Sequence, residues 1–230
     1  DALHGLGGDT WFRLGDKDLA THLRRTGLLQ QGASLIEVTD VLRTQLGIAT
    51  HIHPMCDEPV RTIVHCEGRD LPFQHYFVKE QCAPAVNGFS FEGIVDARPN
   101  DTVLQMVRSG AFSAIVVCPS NPFVSVDPIL QIPGLWTALR DSPAPVVLMS
   151  PIVAGMALKG PAAKMMAELG VPVTARGVAE HYSKRYKGLL DYFVIDESDA
   201  TLAGDIAALG FEVAVTTTVM KSREDKQCLA

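Results

Sequence analysis

Residues Leu14 to His22 read Leu-Gly-Asp-Lys-Asp-Leu-Ala-Thr-His. Two carboxylates, Asp16 and Asp18, stand two residues apart just after Gly15, and His22 follows four residues beyond the second. Aspartates at a helix start suit the positive end of the helix dipole. Asp18 can cap a helix running from Leu19, which leaves Asp16 without an obvious structural task. The preceding Trp11-Phe12-Arg13 adds aromatic surface and a cation, and together these residues make a wall for a flat, polar-edged ligand. The plain alternative keeps Asp18 as a cap, Trp11 and Phe12 in the core and His22 on a helix surface.

Further along, Asp57-Glu58 is a paired acid before Pro59. Such a pair can hold Mg²⁺, which prefers carboxylates shared with substrate phosphates; a solvated turn is the alternative. Pro119-Ser120-Asn121-Pro122 follows an apolar run directly. Its two prolines stiffen a loop from which Ser120 and Asn121 can donate to phosphate or sugar oxygens. Asn121, ahead of a proline, is expected to be extended with its side chain free, although an ordinary turn would use both side chains locally. Ser150-Pro151-Ile152 repeats the logic. Gly160-Pro161-Ala162-Ala163-Lys164 is expected to open a helix whose free amides attract anions, with Lys164 one turn in or merely solvated. It is not a Walker motif, and no Gly-x-Gly-x-x-Gly follows a strand, which disfavours a nicotinamide oxidoreductase. His51 and His53 alternate on an expected strand, as a surface pair or a metal-binding one.

The elements that must position these residues come in two styles. Residues 18–47 carry helical spacing: Leu19, Leu23, Leu28 and Leu29 share a face, and Ser34 with Glu37 forms a capping-box pattern ahead of Leu35, Val38, Leu42 and Leu46. Val60 to Cys66 and Leu71 to Val78 then flank a hairpin turn at Glu67-Gly68-Arg69-Asp70. Residues 1–87 therefore read as a helix-plus-hairpin module. From 88 to 230 the chain alternates strands with helices. The continuous apolar runs Ala114 to Cys118, Val146 to Met149 and Tyr192 to Ile195 suit strands buried on both faces of a parallel sheet. Helical spacing falls at 100–109, 128–140, 160–169 and 177–187, with Gly110, Gly170 and Gly210 at helix ends. The expected fold is α/β, a Rossmann-like, doubly wound and mostly parallel sheet, whose ligands sit beyond the carboxyl ends of the strands.

Composition bounds the function. The 230 residues carry a net charge of −6, without the basic footprint that nucleic acid requires. No apolar run approaches the roughly 20 residues that cross a bilayer, so no membrane role is expected. Five widely spaced cysteines without a Cys-x-x-Cys pair suggest reduced thiols and a cytoplasmic protein.

The Leu14-to-His22 block resembles the signature of the 2-phospho-L-lactate transferase family of deazaflavin coenzyme F-420 biosynthesis. Met55-Cys56-Asp57-Glu58-Pro59-Val60, Pro119 to Pro122 with Ser125, Ser150-Pro151-Ile152, Gly160 to Lys164, and Gly177-Val178-Ala179 with Tyr182 match the family in the same order. The resemblance implies a Mg²⁺-dependent enzyme. It would move a phosphorylated acid (phospholactate, phosphoenolpyruvate or phosphoglycerate) from a guanosine diphosphate-linked donor to the deazariboflavin Fo, releasing GMP. By the same resemblance, Arg13, Gly15, Asp16, Asp18 and His22 belong to the deazaflavin pocket. Ser120, Asn121, Pro122, Ser125, Ser150, Gly160 and Lys164 face the nucleotide and its phosphates. Asp16 or Asp57 is the carboxylate that accepts the acceptor's hydroxyl proton, and Asp57 is the candidate metal ligand. The family normally opens with a strand, a glycine-rich loop and metal-binding aspartates, which are not found in these residues, as though an upstream segment were missing or the chain were a truncated homologue. A sheet without those strands would expose an edge, and poor stability or oligomerisation is the expectation. Family analogy also gives a homodimer. The competing reading is a non-catalytic nucleotide- or nucleotide-sugar-binding regulator on the same fold.

Overall fold

The structure is a computed structural model that describes residues 2–157 and 160–229. It divides into two compact units, Asp1–Val103 and Leu104–Ala230. The change of style at residue 88 falls inside a strand of the first unit, and the division comes later, within a helix.

The first unit opens with a short turn of helix, α1 (Ala2–Gly5), then α2 (Asp16–Gln30) and α3 (Leu35–Gln45). The capping box at α3 forms as the sequence predicts: Glu37 N donates to Ser34 Oγ at 3.2 Å, and Ser34 N donates to the Glu37 carboxylate at 2.8 Å. Helix α2 departs from the reading in two ways. It starts at Asp16, with Gly15 as an N-cap that offers no side-chain bond, so Asp18 lies in the first turn and caps nothing. Its leucine face is uncovered, with Leu23 65% exposed.

Strands β1 (Arg61–Cys66), β2 (Arg69–Pro72) and β3 (Val86–Glu92) form an antiparallel sheet in the order β2-β1-β3. The hairpin is present with a tighter turn than expected: Glu67 and Gly68 make it, Cys66 stands opposite Arg69, and Arg69 and Asp70 already belong to β2. Its second strand ends at Pro72, well short of Val78, because proline has no N–H to extend the ladder. Residues His75–Lys79 instead make a π-helical turn that buries Tyr76 completely. Strand β3 was not anticipated. His51 and His53 lie outside any strand, with rings stacked at 6.0 Å.

In the second unit β4 (Ile115–Val117), β5 (Val146–Met149), β8 (Tyr192–Asp196) and β9 (Glu212–Thr216) form a parallel sheet in that order. Helix α4 (Asp101–Arg108) precedes it across the division. The expected helix over 128–140 is broken into α5 (Asp127–Leu130) and α6 (Leu135–Arg140). Pro133 withholds an amide, and Gly134 takes a positive φ of 83°. A two-strand ribbon, β6 (Ile152–Val153) with β7 (Met156–Ala157), leads towards α7 (Ala162–Glu168) and α8 (Ala175–Arg185). Helices α9 (Ala203–Ala207) and α10 (Arg223–Leu229) flank β9. Gly110, Gly170 and Gly210 all adopt positive φ just after helices or their final turns, as read from the sequence.

Val146, Leu148, Phe193 and Ile195 fill one face of the parallel sheet and are buried. The opposite face is only half-covered, and Val116 on edge strand β4 is 56% exposed. The apolar runs suggested burial on both faces; in the unit as described one face is closed. Gly177 sets the packing of α8: a Cβ there would stand 2.0 Å from the Pro172 carbonyl oxygen.

Candidate functional site

Each unit carries a cavity lined by residues singled out from the sequence. In the first unit a cavity of about 550 Å³ is bounded by Arg25 and Leu29 of α2, Leu35 of α3 and the run Pro54 to Arg61. Asp57 sits here, and its carboxylate accepts from Ile36 N at 2.8 Å, closing the first turn of α3 from 21 residues away. One oxygen is thereby used, and the other has no hydrogen bond among the described residues. Glu58 accepts from Arg98 N at 3.1 Å; that amide, and after it the residue's own N–H, hold Glu58 below the usual carboxylate range. Cys56 is buried beneath them. Burial first, then the Glu58 and Asp57 charges, push its thiol up, so it stays protonated and unreactive. Arg25 and Arg61 supply cations that the sequence reading did not select.

The deazaflavin-side block is arranged differently from the expectation. Arg13, Gly15, Asp16, Asp18 and His22 are all exposed and none lines this cavity. Trp11 packs edge-on against His75 at 4.7 Å and Phe12 at 5.7 Å, with Lys79 Nζ 5.9 Å from its ring centre. Its indole N–H is buried and has no hydrogen-bond partner among the described residues. The aromatic wall therefore exists around Trp11, and Phe12 and Phe77 keep exposed ring surface.

In the second unit a cavity of about 330 Å³ opens where strand order and chemistry predict it, past the carboxyl ends of β4 and β5. Pro119 and Asn121 line it from the loop after β4, Met149 to Pro151 from the end of β5, and Ala162 from the start of α7. Thr218 to Met220 and Lys226 close it from the segment after β9. That last wall is anchored by Asp196 at the end of β8. Its carboxylate accepts from Ser198 N and Oγ at 3.0 and 2.7 Å, and from Thr218 N and Oγ1 at 2.9 and 3.0 Å. Burial alone would raise this carboxyl; the bonds from Ser198 and Thr218 outweigh it and hold the pKa at about 2.

Several predicted donors are already committed. The Asn121 side chain is not free: its oxygen accepts from Phe123 N and Val124 N, capping the turn Pro122–Val126, and its nitrogen faces Met165 Sδ at 3.2 Å. The ordinary-turn alternative describes it better. Ser150 is buried, its hydroxyl donating to Ile152 O at 2.9 Å. Lys164 pairs with Glu168 at 2.6 Å one turn along α7; the helix opens in this segment as expected, at Ala162, with Pro161 as an N-cap that offers no side-chain bond. Ser120 and Ser125 are exposed, Pro122 is buried, and none of these three lines the cavity. Tyr182 is core.

Sequence reasoning missed three features. Lys226 and the Thr218 wall follow β9, a strand whose alternating Glu-Val-Ala-Val-Thr was available as a signal. Asp196 ends β8, one residue beyond the apolar run Tyr192 to Ile195 that marks the strand in the sequence. Buried Asp127 accepts from His181 Nε2 at 3.0 Å and Tyr186 OH at 2.9 Å. Burial and then Asp127 push the Tyr186 hydroxyl up, leaving it a donor. This cluster had no local signal, because its members are 54 and 59 residues apart.

A cavity past the carboxyl ends of a parallel α/β sheet stands where proteins of this fold class bind ligands, and Lys226 lies on its wall. The comparisons narrow the class. The family model described as 2-phospho-L-lactate transferase CofD matches residues 9–220. The chain is 37% identical over 219 residues to a 2-phospho-L-lactate transferase of Methanococcoides burtonii, covering 95% of this chain and 69% of that one. It is 36% identical over 223 residues to a phosphoenolpyruvate transferase of Streptomyces griseus, covering 95% and 68%. The chain belongs to the 2-phospho-L-lactate transferase family, and is a transferase. A solved structure of a upf0052 family member from Bacillus halodurans shares the fold, with a TM-score of 0.57 at 15% identity over 90% of this chain and 70% of that one. Among the described residues no helix is long and apolar enough to cross a membrane.

Proposed function

We propose that this chain transfers a phosphorylated small acid from a guanosine diphosphate-linked donor to the hydroxyl of the deazariboflavin Fo, releasing GMP, in coenzyme F-420 biosynthesis. Family membership combined with the cavity past β4 and β5 carries this reading. The donor's diphosphate enters that cavity. The acceptor's flat ring is assigned to the first unit, where Trp11 and Phe12 offer ring surface.

In the transfer the Fo hydroxyl oxygen bonds to the phosphorus that bears the acid. The bridging P–O bond of the diphosphate breaks, and the electron pair leaves with GMP. Little covalent work is left to the protein, so catalysis is positioning and charge neutralisation. The hydroxyl proton passes to a carboxylate, Asp16 or Asp57. Asp16 has no hydrogen bond among the described residues, while Asp57 keeps one uncommitted oxygen. The Pro-stiffened loop, its turn capped by Asn121, and the Asp196-anchored wall hold the donor's surroundings fixed before it binds.

Magnesium is part of the proposal. Asp57 keeps a carboxylate oxygen with no hydrogen bond among the described residues, and Glu58 adds a second carboxylate beside it, which fits an ion taken through one or two carboxylates and substrate phosphates. When bound, such an ion would supply positive charge for phosphate oxygens. The free thiols Cys56 and Cys118 fit the reducing cytoplasm we assign; the Cys228 side chain lies outside the described residues. A homodimer remains the expected assembly.

Val219→Trp tests the donor site. Val219 lines the cavity and is half-exposed, so the indole can fill the space without entering the core. Transfer should be lost while the melting temperature stays within a few degrees. Undiminished transfer would remove the cavity from the account.

A further inference from the structure

We infer that Lys226 is the residue that binds the donor's diphosphate in the cavity past β4 and β5. The inference rests on the reading that a guanosine diphosphate-linked donor occupies this cavity.

A diphosphate needs countercharge and spare donors where it binds. Among the described residues lining the cavity, Lys226 is the one charged side chain. The other polar side chains there are spent on the protein itself. Asn121 caps its own turn, Ser150 bonds Ile152 O, and the Thr218 hydroxyl donates to Asp196. Lys226 makes no ion pair or hydrogen bond among the described residues, so all three of its donors are available. An ammonium is a compact point charge that can follow a phosphate without a fixed fork geometry.

The lysine is also held in place. The segment that carries it is pinned at Thr218 by two bonds to buried Asp196. It is pinned again at the start of α10, where Asp225 accepts from Lys221 N and Ser222 N at 2.8 Å each and Asp225 N donates to Ser222 Oγ at 3.0 Å. Both amides converge on Oδ2 of the neighbouring Asp225, which holds that carboxylate to the start of its own helix, and Lys226 makes no ion pair with it. Loop residues ordered in this way bind without first losing backbone freedom.

The test measures binding of GDP, and of guanosine by competition, to the wild-type chain, Lys226→Met and Lys226→Arg. Methionine keeps the apolar stem and removes the charge at an exposed position, and thermal melts of each variant check folding. Lys226→Met should weaken GDP about 10- to 100-fold. It should leave guanosine unchanged and flatten the salt dependence of GDP binding, and Lys226→Arg should restore most of the affinity. GDP binding as tight as wild type in Lys226→Met overturns the assignment and leaves the cavity reading standing. Equal losses for GDP and guanosine overturn it too, because they mean a structural role. A wild-type chain that binds neither ligand overturns the cavity reading and this inference together.

Discussion

Asp196→Asn perturbs the candidate donor site without touching a cavity-lining side chain. The carboxylate accepts four hydrogen bonds, two from Ser198 and two from Thr218, in a buried position. A carboxyl held at about 2 against 3.8 in the unfolded chain stabilises the fold by about 2 kcal/mol at neutral pH. Because the folded pKa is the lower one, that stability is fully present above pH 4 and is lost as pH falls through 2. Asparagine keeps the shape and one acceptor, but turns an N–H group towards two donors. Leaving them unmatched adds desolvation cost, and about 3 kcal/mol in all is expected at pH 7. For a chain of this size that lowers the melting temperature by about 6–12 °C. Differential scanning fluorimetry of both proteins between pH 7 and pH 2.5 reads the effect. The gap between the two melts should be constant above pH 5 and narrow below pH 4. A gap under about 2 °C at pH 7, or one that widens in acid, would refute the reasoning. GDP binding should weaken in parallel, since the Thr218 wall loses its anchor.

Gly177→Ala should destabilise the chain by more than about 2 kcal/mol in chemical denaturation, although alanine is ordinarily the better helix former by about 1 kcal/mol. The cause is a Cβ placed 2.0 Å from the Pro172 oxygen, and a neutral or stabilising result would contradict that packing. Asp57→Ala should cost about 1 kcal/mol by uncapping α3, whereas Asp57→Asn keeps an acceptor for Ile36 N and should melt near wild type. If Asp57→Asn also keeps full turnover, its proton and metal roles fall. Asp16→Asn should lower turnover about 100-fold or more with GDP affinity intact, and unchanged turnover would remove Asp16 from the site.

What the sequence made legible was whatever local chemistry decides. The Ser34-Glu37 capping box, the hairpin around Gly68, the glycine helix ends and three of the four parallel strands were all readable from short windows. The failures have physical causes. Leucine spacing on α2 shows amphipathicity but not whether anything covers it, and Leu19 and Leu23 stay exposed. Alternation past Pro72 looked like a strand, yet burial of Tyr76 favoured a helical turn. The candidate site was half-legible: the rule that ligands lie beyond strand ends located the loops after β4 and β5. Side-chain commitment was not legible, because Asn121 finds its partners within its own turn and at Met165, 44 residues away. Lys226 was overlooked because β9 was not recognised, so the segment after it was never placed at the sheet's carboxyl edge.

The central claim is the transfer itself. The most direct measurement incubates the chain with Fo, Mg²⁺ and, one at a time, the guanosine diphosphate-linked phospholactate, phosphoenolpyruvate and phosphoglycerate donors, and quantifies GMP together with the new deazaflavin product. The account predicts equimolar GMP and product from at least one donor, both absent when Fo is omitted. GMP without deazaflavin product, or no reaction with any donor while GDP still binds, would contradict it and favour a nucleotide-binding role on this fold.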